Sequence, residues 1–198
     1  MVSLNGCEFV FDKKHKIGLG FIDKEVHPVL QDFNALWLII RGDNSLRFGS
    51  NYKNHIATWY GGVDYAYTGV RHKAQPMPDF FRNIARHLES KLVYPVGYFN
   101  SLLANFYINK GIAPHSDDEP IFMNNDKTIG AVATISLGGT AVVTIAKNDR
   151  SKDFKIKLTD GSCYLMPEGN FQNEYKHSVS KPDSVNDQRI SLTFRHIP

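Results

Sequence analysis

Cysteine is almost absent from this chain. Cys7 and Cys163 are the two present, they stand far apart, and neither belongs to a C-x-x-C pair. That pattern excludes a disulfide framework and a zinc ribbon, and it suits a reducing compartment. Long apolar runs are missing as well: the longest, 35–40, is strand-sized, far short of the roughly 18 residues that a membrane-spanning helix needs. The N-terminal stretch carries Glu8, Asp12 and Lys13 where a secretory leader would have its apolar run, so secretion is not expected. There is no strong excess of one charge: 23 basic against 20 acidic side chains leave a net +3. Such a balance tolerates a polyanionic partner without demanding one. No internal repeat, low-complexity tract or Pro-, Gly- or Ser-rich linker divides the chain. A chain of this length buries roughly 70% of its unfolded surface and needs no cross-link to fold. The expectation is a single soluble, intracellular domain over residues 1–198.

Aromatic residues are plentiful at 12%, with nine Tyr and thirteen Phe. From Ala35 onward, runs rich in β-branched and aromatic residues alternate with turn residues: ALWLII (35–40), HIATWY (55–60), LLANFYI (102–108), TIGAVATISL (128–137), AVVTIA (141–146), FKIKL (154–158), SCYLM (162–166) and RISLTFR (189–195). These read as strands of an antiparallel sandwich or barrel. One segment differs. Phe80, Phe81, Ile84, Ala85 and Leu88 recur at helical spacing behind Pro78 and Asp79, predicting a helix over about 79–91 that packs on the sheet. The first 34 residues are polar and weakly periodic. The fold class is therefore α+β and mostly β, with a flanking N-terminal helix-containing region.

Three features of the second half carry chemistry. His115-Ser116-Asp117 places an imidazole and a carboxylate on one side of an extended segment, and His177 offers a further imidazole. Two histidines and one carboxylate on one face, with open positions, form the non-haem Fe(II) triad; taken alone, the His-x-Asp also reads as a solvated surface turn. In RISLTFR, alternation sets Ile190, Leu192 and Phe194 against Arg189, Ser191, Thr193 and Arg195. The polar set faces either a cavity or, on an edge strand, water. At ~3.3 Å per residue the arginines stand roughly 20 Å apart at their backbones, so they can bracket a small dianion but cannot both fork onto one carboxylate. Asn105 and Tyr107 share a face of the strand before His115, as ligand contacts or as ordinary hydrogen-bonding residues at the core edge.

Taken in order, NFY, HSDDE, KH at 176–177 and RISLTFR resemble the AlkB family of Fe(II)- and 2-oxoglutarate-dependent dioxygenases, over residues 45 to 196. TWYGGVDYAYTG (58–69) is similar to the family's base-stacking segment. The resemblance implies a double-stranded β-helix, or jelly roll, in which 1–44 is an N-terminal extension, 45–100 a nucleotide-recognition region and 101–198 the catalytic core. It implies iron on His115, Asp117 and His177, with O2 as oxidant. It implies 2-oxoglutarate held through Arg189 and Tyr107, with Asn105, Thr193 and Arg195 nearby and Arg195 beside the catalytic ligands. Ser191 stands where many members have Asn, a shorter side chain for the same contact. Substrate contacts fall on Tyr67 as the stacking ring, on Trp59 and Tyr65 beside it, on Asp118, and on Glu119, which shares the face of Asp117 if the strand continues. Phe48 in LRFG is a candidate intercalating wedge.

The activity implied is oxidative demethylation of 1-methyladenine, 3-methylcytosine and, as a further candidate, N6-methyladenine, releasing formaldehyde, succinate and CO2. The partner is methylated nucleic acid, RNA ahead of single-stranded DNA, with no membrane, and the isolated domain is expected to be a monomer. LMPEGNFQNEYKHSV, HSDDE and RISLTFR look closest to AlkB-like domains of plant positive-strand RNA virus replication polyproteins, which implies the host-cell cytoplasm. Two rival readings stay open: an oxygenase acting on a protein or small molecule, and a non-catalytic RNA-binding jelly roll.

Overall fold

Apolar residues that alternate with polar ones give a strand two unlike faces, and here each face finds its own partner. The computed structural model describes residues 2–4, 7–9, 17–42, 46–47, 55–67, 70–151, 153–183 and 187–198. Strands β1 (Val2–Leu4) and β2 (Cys7–Phe9) pair with each other, and β3 (Gly18–Phe21) precedes helix α1 (Phe33–Gly42). Strands β4 (Leu46–Arg47), β5 (His55–Tyr60), β6 (Tyr65–Tyr67) and β7 (Val70–His72) lead to α2 (Asp79–Leu92). The second half runs through β8 (Ser101–Ile108), β9 (Ile112–His115), β10 (Val132–Gly138), β11 (Ala141–Lys147) and β12 (Asp153–Leu158). It closes with β13 (Ser162–Met166), the single turn α3 (Phe171–Glu174), β14 (Tyr175–Val179) and β15 (Gln188–Arg195).

Among the described residues the strands form a seven-stranded sheet in the order β3-β13-β10-β15-β8-β5-β4 and a four-stranded sheet in the order β12-β11-β14-β9. Every named pairing in both is antiparallel, as a jelly roll requires. The larger sheet draws strands from all three parts of the chain. One of its faces carries Leu102, Ala104, Phe106, Ile135, Leu137, Ile190, Leu192 and Phe194, packed with Leu36 and Ile40 of α1 and with Phe81, Ile84, Ala85 and Leu88 of α2. The predicted helix over 79–91 is α2. The other face looks toward the smaller sheet, and the polar residues of β15 lie there. Because β15 sits between β10 and β8, it is a central strand and not a solvated edge.

Residues 35–40 are helical, not the strand their apolar run predicts. A short greasy run does not distinguish the two periods, and the capping residue decides. Asp32 accepts the Ala35 backbone N–H on its carboxylate at 2.9 Å and the Leu36 N–H on its carbonyl at 3.0 Å, starting the helix. Leu36 and Ile40, four residues apart, are fully buried while Leu38 is 62% exposed. Trp37 stacks on Phe106 of the sheet at 3.8 Å between ring centroids. The strand expected from Thr128 begins instead at Val132, since the Thr128 carbonyl accepts the Asn124 N–H at 2.8 Å in a turn.

The segment between β3 and α1 is fastened to α2 by His27 and His87, whose rings meet edge to face at 4.9 Å. The Nε2 atoms of both are buried without a partner. Burial lowers both pKa values below the ordinary histidine value, with His87 adding to the effect on His27, Lys91 adding to that on His87, and Asp23 opposing in each case. Because the folded values are depressed, the unfolded chain takes up protons first as pH falls. The stabilisation is complete above about pH 6.5 and is lost below it. The urea midpoint should therefore drop between about pH 7.5 and about pH 5.5, and His27→Phe should drop less over the same interval. Equal pH dependence in parent and variant would count against this contact.

Candidate active site

Strand register brings the site together. Across β5, β8 and β15, His55 lies opposite Tyr107 and Tyr107 opposite Arg189, while Asn105 lies opposite Ser191. Thr134 and Ser136 of β10 lie opposite Thr193 and Ser191. In the smaller sheet His177 of β14 lies opposite His115 of β9. The two polar faces enclose a cavity of about 360 Å³ lined by Asn105, Tyr107, His115, Asp117, His177, Ser191, Thr193 and Arg195, together with His55, Tyr65, Lys110, Thr134 and Tyr164.

At one end, His115, Asp117 and His177 each offer a ligand atom, all within 4.8 Å of one another; among the described residues no other such cluster occurs. β9 stops at His115, so Asp117 is aimed by side-chain bonds and not by strand alternation. Its backbone N–H donates to Gln172 Oε1 at 3.0 Å, and its Oδ2 accepts from Arg195 Nε at 3.1 Å and Nη2 at 3.0 Å. Asp117 and Arg195 are 2% and 5% exposed, so this is a buried ion pair with a two-pronged hydrogen bond. Burial pushes the Asp117 carboxyl up, but the positive charge of Arg195, helped by His177 and His115, outweighs it and holds Asp117 well below the usual carboxylate range.

His115 Nδ1 lies 2.9 Å from the Ala113 carbonyl, so Nδ1 carries the proton. Its Nε2 faces the carboxylate, 3.8 Å from Asp117 Oδ1. Burial is the largest influence on His177 and lowers its pKa to about 4, so this imidazole is neutral near pH 7 and fit to bind a metal. A carboxylate and two imidazoles suit a divalent first-row metal such as Fe(II) and leave positions open.

Further in, Arg189 is 2% exposed; its Nε donates to Ser136 Oγ at 2.8 Å, and its guanidinium carbon lies 5.6 Å from the Tyr107 ring centre. Arg189 Nη2 is buried without a partner. A buried N–H with no acceptor is costly, and a ligand carboxylate would satisfy it. The two arginines play different parts: Arg195 is tied to Asp117 through Nε and Nη2, Arg189 has no carboxylate partner among the described residues, and each keeps one buried nitrogen without a partner, Arg195 Nη1 and Arg189 Nη2. Thr193 Oγ1 lies 3.4 Å from Thr134 Oγ1 and 3.3 Å from Ser191 Oγ.

On the substrate side the sequence expectations divide. Glu119 does not continue a strand with Asp117, because the chain turns into a 3-10 segment at Pro120. It nevertheless stands beside the triad, where Tyr65 donates its hydroxyl to Glu119 Oε1 at 2.7 Å. Glu119 Oε2 is buried without a partner. Burial and the neighbouring Asp117 charge raise the Glu119 pKa. Trp59 is wholly buried, donates its indole N–H to the Val63 carbonyl at 2.8 Å and packs against Tyr65, so it backs the wall and does not meet a ligand. Asp118 is exposed. Phe48 and the Tyr67 side chain lie outside the described residues. Gln172, Thr134, Tyr164, Lys110 and His55 were not singled out as site residues by the sequence. Gln172 was legible only within LMPEGNFQNEYKHSV, a segment of the family resemblance, and Thr134, Tyr164 and His55 only within the strand-like runs TIGAVATISL, SCYLM and HIATWY, none of which assigns them to a cavity.

A family model described as the 2OG-Fe(II) oxygenase superfamily matches residues 39–195. The chain belongs to that superfamily. This oxygenase is similar to a segment of the RNA replication protein of Grapevine virus A (isolate Is 151), 29% identical over 133 residues that are 67% of this chain and 7% of that protein. It also matches the genome polyprotein of Blackberry virus Y, 31% identical over 99 residues, 50% of this chain and 3% of that protein. The chain thus spans less than a tenth of the length of the curated relatives it matches. The fold matches the solved structure of OsALKBH1, an AlkB homologue, with a TM-score of 0.59 at 18% identity, covering 91% of this chain and 96% of that one. The oxygenase thus has the fold of an AlkB homologue and is similar to segments of plant-virus replication polyproteins; it is a dioxygenase whose superfamily uses Fe(II), 2-oxoglutarate and O2. No described helix is long and apolar enough to cross a membrane.

Removing Arg195 strands a buried carboxylate. Arg195→Met should destabilise the metal-free protein by about 3–5 kcal/mol. Saturating Mn(II) should recover part of that loss by supplying the missing positive charge. Urea unfolding with and without Mn(II) measures both; parent-like stability, or no effect of the metal, would contradict this account of the pair.

Proposed function

We propose that this domain oxidatively removes N-methyl groups from bases of RNA or single-stranded DNA, with RNA favoured. The observation that carries the reading is Glu119, held by Tyr65 beside the triad with one carboxyl oxygen buried and unpartnered. A polar group kept dry and unsatisfied needs a ligand, and the edge of a base offers an exocyclic amine of matching chemistry. The similarity to segments of an RNA replication protein and a genome polyprotein supports a nucleic-acid substrate. On this reading the domain works as a monomer in the host-cell cytoplasm on methylated RNA.

His115, Asp117 and His177 would hold Fe(II), and Arg189 Nη2, Tyr107 and Asn105 would hold 2-oxoglutarate, with Ser191 and Thr193 along the same wall. When bound, iron would let O2 oxidise 2-oxoglutarate to succinate and CO2 with one oxygen atom, and hydroxylate the N-methyl group with the other, the hydroxymethyl product then releasing formaldehyde. The chain's own work is orientation. Arg195 keeps Asp117 ionised and fixed, and the Ala113 carbonyl keeps the His115 ring in its ligating tautomer. Tyr65 fixes Glu119, and the Trp59–Phe122 cluster behind Tyr65 excludes water. Burial of the polar wall leaves its fixed dipoles unscreened. Tyr67 is assigned the stacking role that the family resemblance implies.

Mass spectrometry of methylated RNA and DNA oligonucleotides incubated with Fe(II), 2-oxoglutarate and ascorbate tests the reading. Loss of the methyl mass with matching formaldehyde is expected from the parent and from none of His115→Ala, Asp117→Ala or His177→Ala. Glu119→Ala should slow demethylation about 10-fold or more while leaving 2-oxoglutarate affinity unchanged. Succinate released without any loss of methyl mass would point to a protein or small-molecule substrate.

A further inference from the structure

No sequence motif points to His55, yet it occupies the inner wall of the cavity. Its ring stacks on Tyr107 at 4.5 Å between centroids and 17° between planes. Its Nε2 lies 3.0 Å from Asn105 Oδ1. An amide oxygen has no proton to give, so Nε2 carries the hydrogen and donates it. Burial, the largest influence, lowers the His55 pKa to about 4, with Asn105 opposing and Lys110 adding, so the ring is neutral near pH 7. With its oxygen turned to His55, Asn105 has its N–H2 end left to donate, the end that suits an anion.

We propose that His55 is a positioning residue for 2-oxoglutarate: it fixes Asn105 as a donor and backs the ring of Tyr107, so that both meet the co-substrate without reorganising. This rests on the reading above that Asn105 and Tyr107 contact 2-oxoglutarate. Arg189 reaches the same ring from the neighbouring strand, so His55, Tyr107 and Arg189 form one cross-strand row. A side chain whose alternative orientations are already removed loses less freedom on binding, and its contribution shows as affinity.

The test is equilibrium binding of 2-oxoglutarate to the Mn(II)-loaded protein by calorimetry, which requires no turnover. His55→Phe keeps a ring against Tyr107 and removes the donor; His55→Gln restores an N–H of comparable reach and removes the ring. His55→Phe should weaken 2-oxoglutarate binding about 10-fold and His55→Gln less than about 3-fold, with Mn(II) affinity unchanged in both. Because the effect runs through Asn105, His55→Phe in an Asn105→Ala background should add almost nothing. Parent-like binding by His55→Phe, equal weakening by both variants, full additivity with Asn105→Ala, or parallel loss of metal affinity and thermal stability would each overturn the proposal. If the parent itself binds no 2-oxoglutarate, the functional reading fails first and takes this role with it.

Discussion

A strand in the middle of a sheet has no solvent edge, so any polar face it carries must be satisfied inside the protein. β15 imposes that constraint here. Its apolar face closes the core against α1 and α2, and its other face presents Arg189, Ser191, Thr193 and Arg195 to the interior. Those residues need partners: the neighbouring strand β10 supplies Ser136 for Arg189 and Thr134 for Thr193, and the loop after β9 supplies Asp117 for Arg195. The groups that remain unsatisfied, Arg189 Nη2 and Arg195 Nη1, are buried and lie on this face. A cavity framed in this way is built to receive something polar.

The division between the two arginines shapes the chemistry. Arg195 offsets the charge of Asp117 and fixes its angle, which leaves the carboxylate ionised but restrained beside His115 and the neutral imidazole of His177. Bound metal would add positive charge next to a pair that is already close to neutral, so Arg195 also tempers how strongly the site binds cations. Arg189 has no acidic partner among the described residues and keeps donor capacity in reserve. One strand thereby serves both ends of the cavity, and its rigidity sets the distance between them.

Much of this was legible in the sequence because β15 is strictly alternating and His115, Asp117 and His177 come in a fixed order. The parts that were not legible have identifiable physical causes. Residues 35–40 mimic a strand because a short apolar run has no readable period, and the deciding Asp32 cap lies outside it. Trp59 was expected to contact substrate beside the stacking ring of Tyr67, but aromatic clusters pack on themselves before they meet ligands, and this one lies under Tyr65. Glu119 reached its place by a turn and not by strand alternation. His55 and Gln172 depend on register between strands and turns distant in sequence, which no local pattern encodes.

The central claim is that the polar face of β15 and the His115–Asp117–His177 cluster are two ends of one co-substrate site. A crystal structure of the protein soaked anaerobically with Mn(II) and 2-oxoglutarate tests it most directly. The account predicts the metal on His115, Asp117 and His177, and the distal carboxylate of 2-oxoglutarate on Arg189 Nη2. Metal bound elsewhere, or a carboxylate seated away from Arg189 with Nη2 still unpartnered, would contradict it.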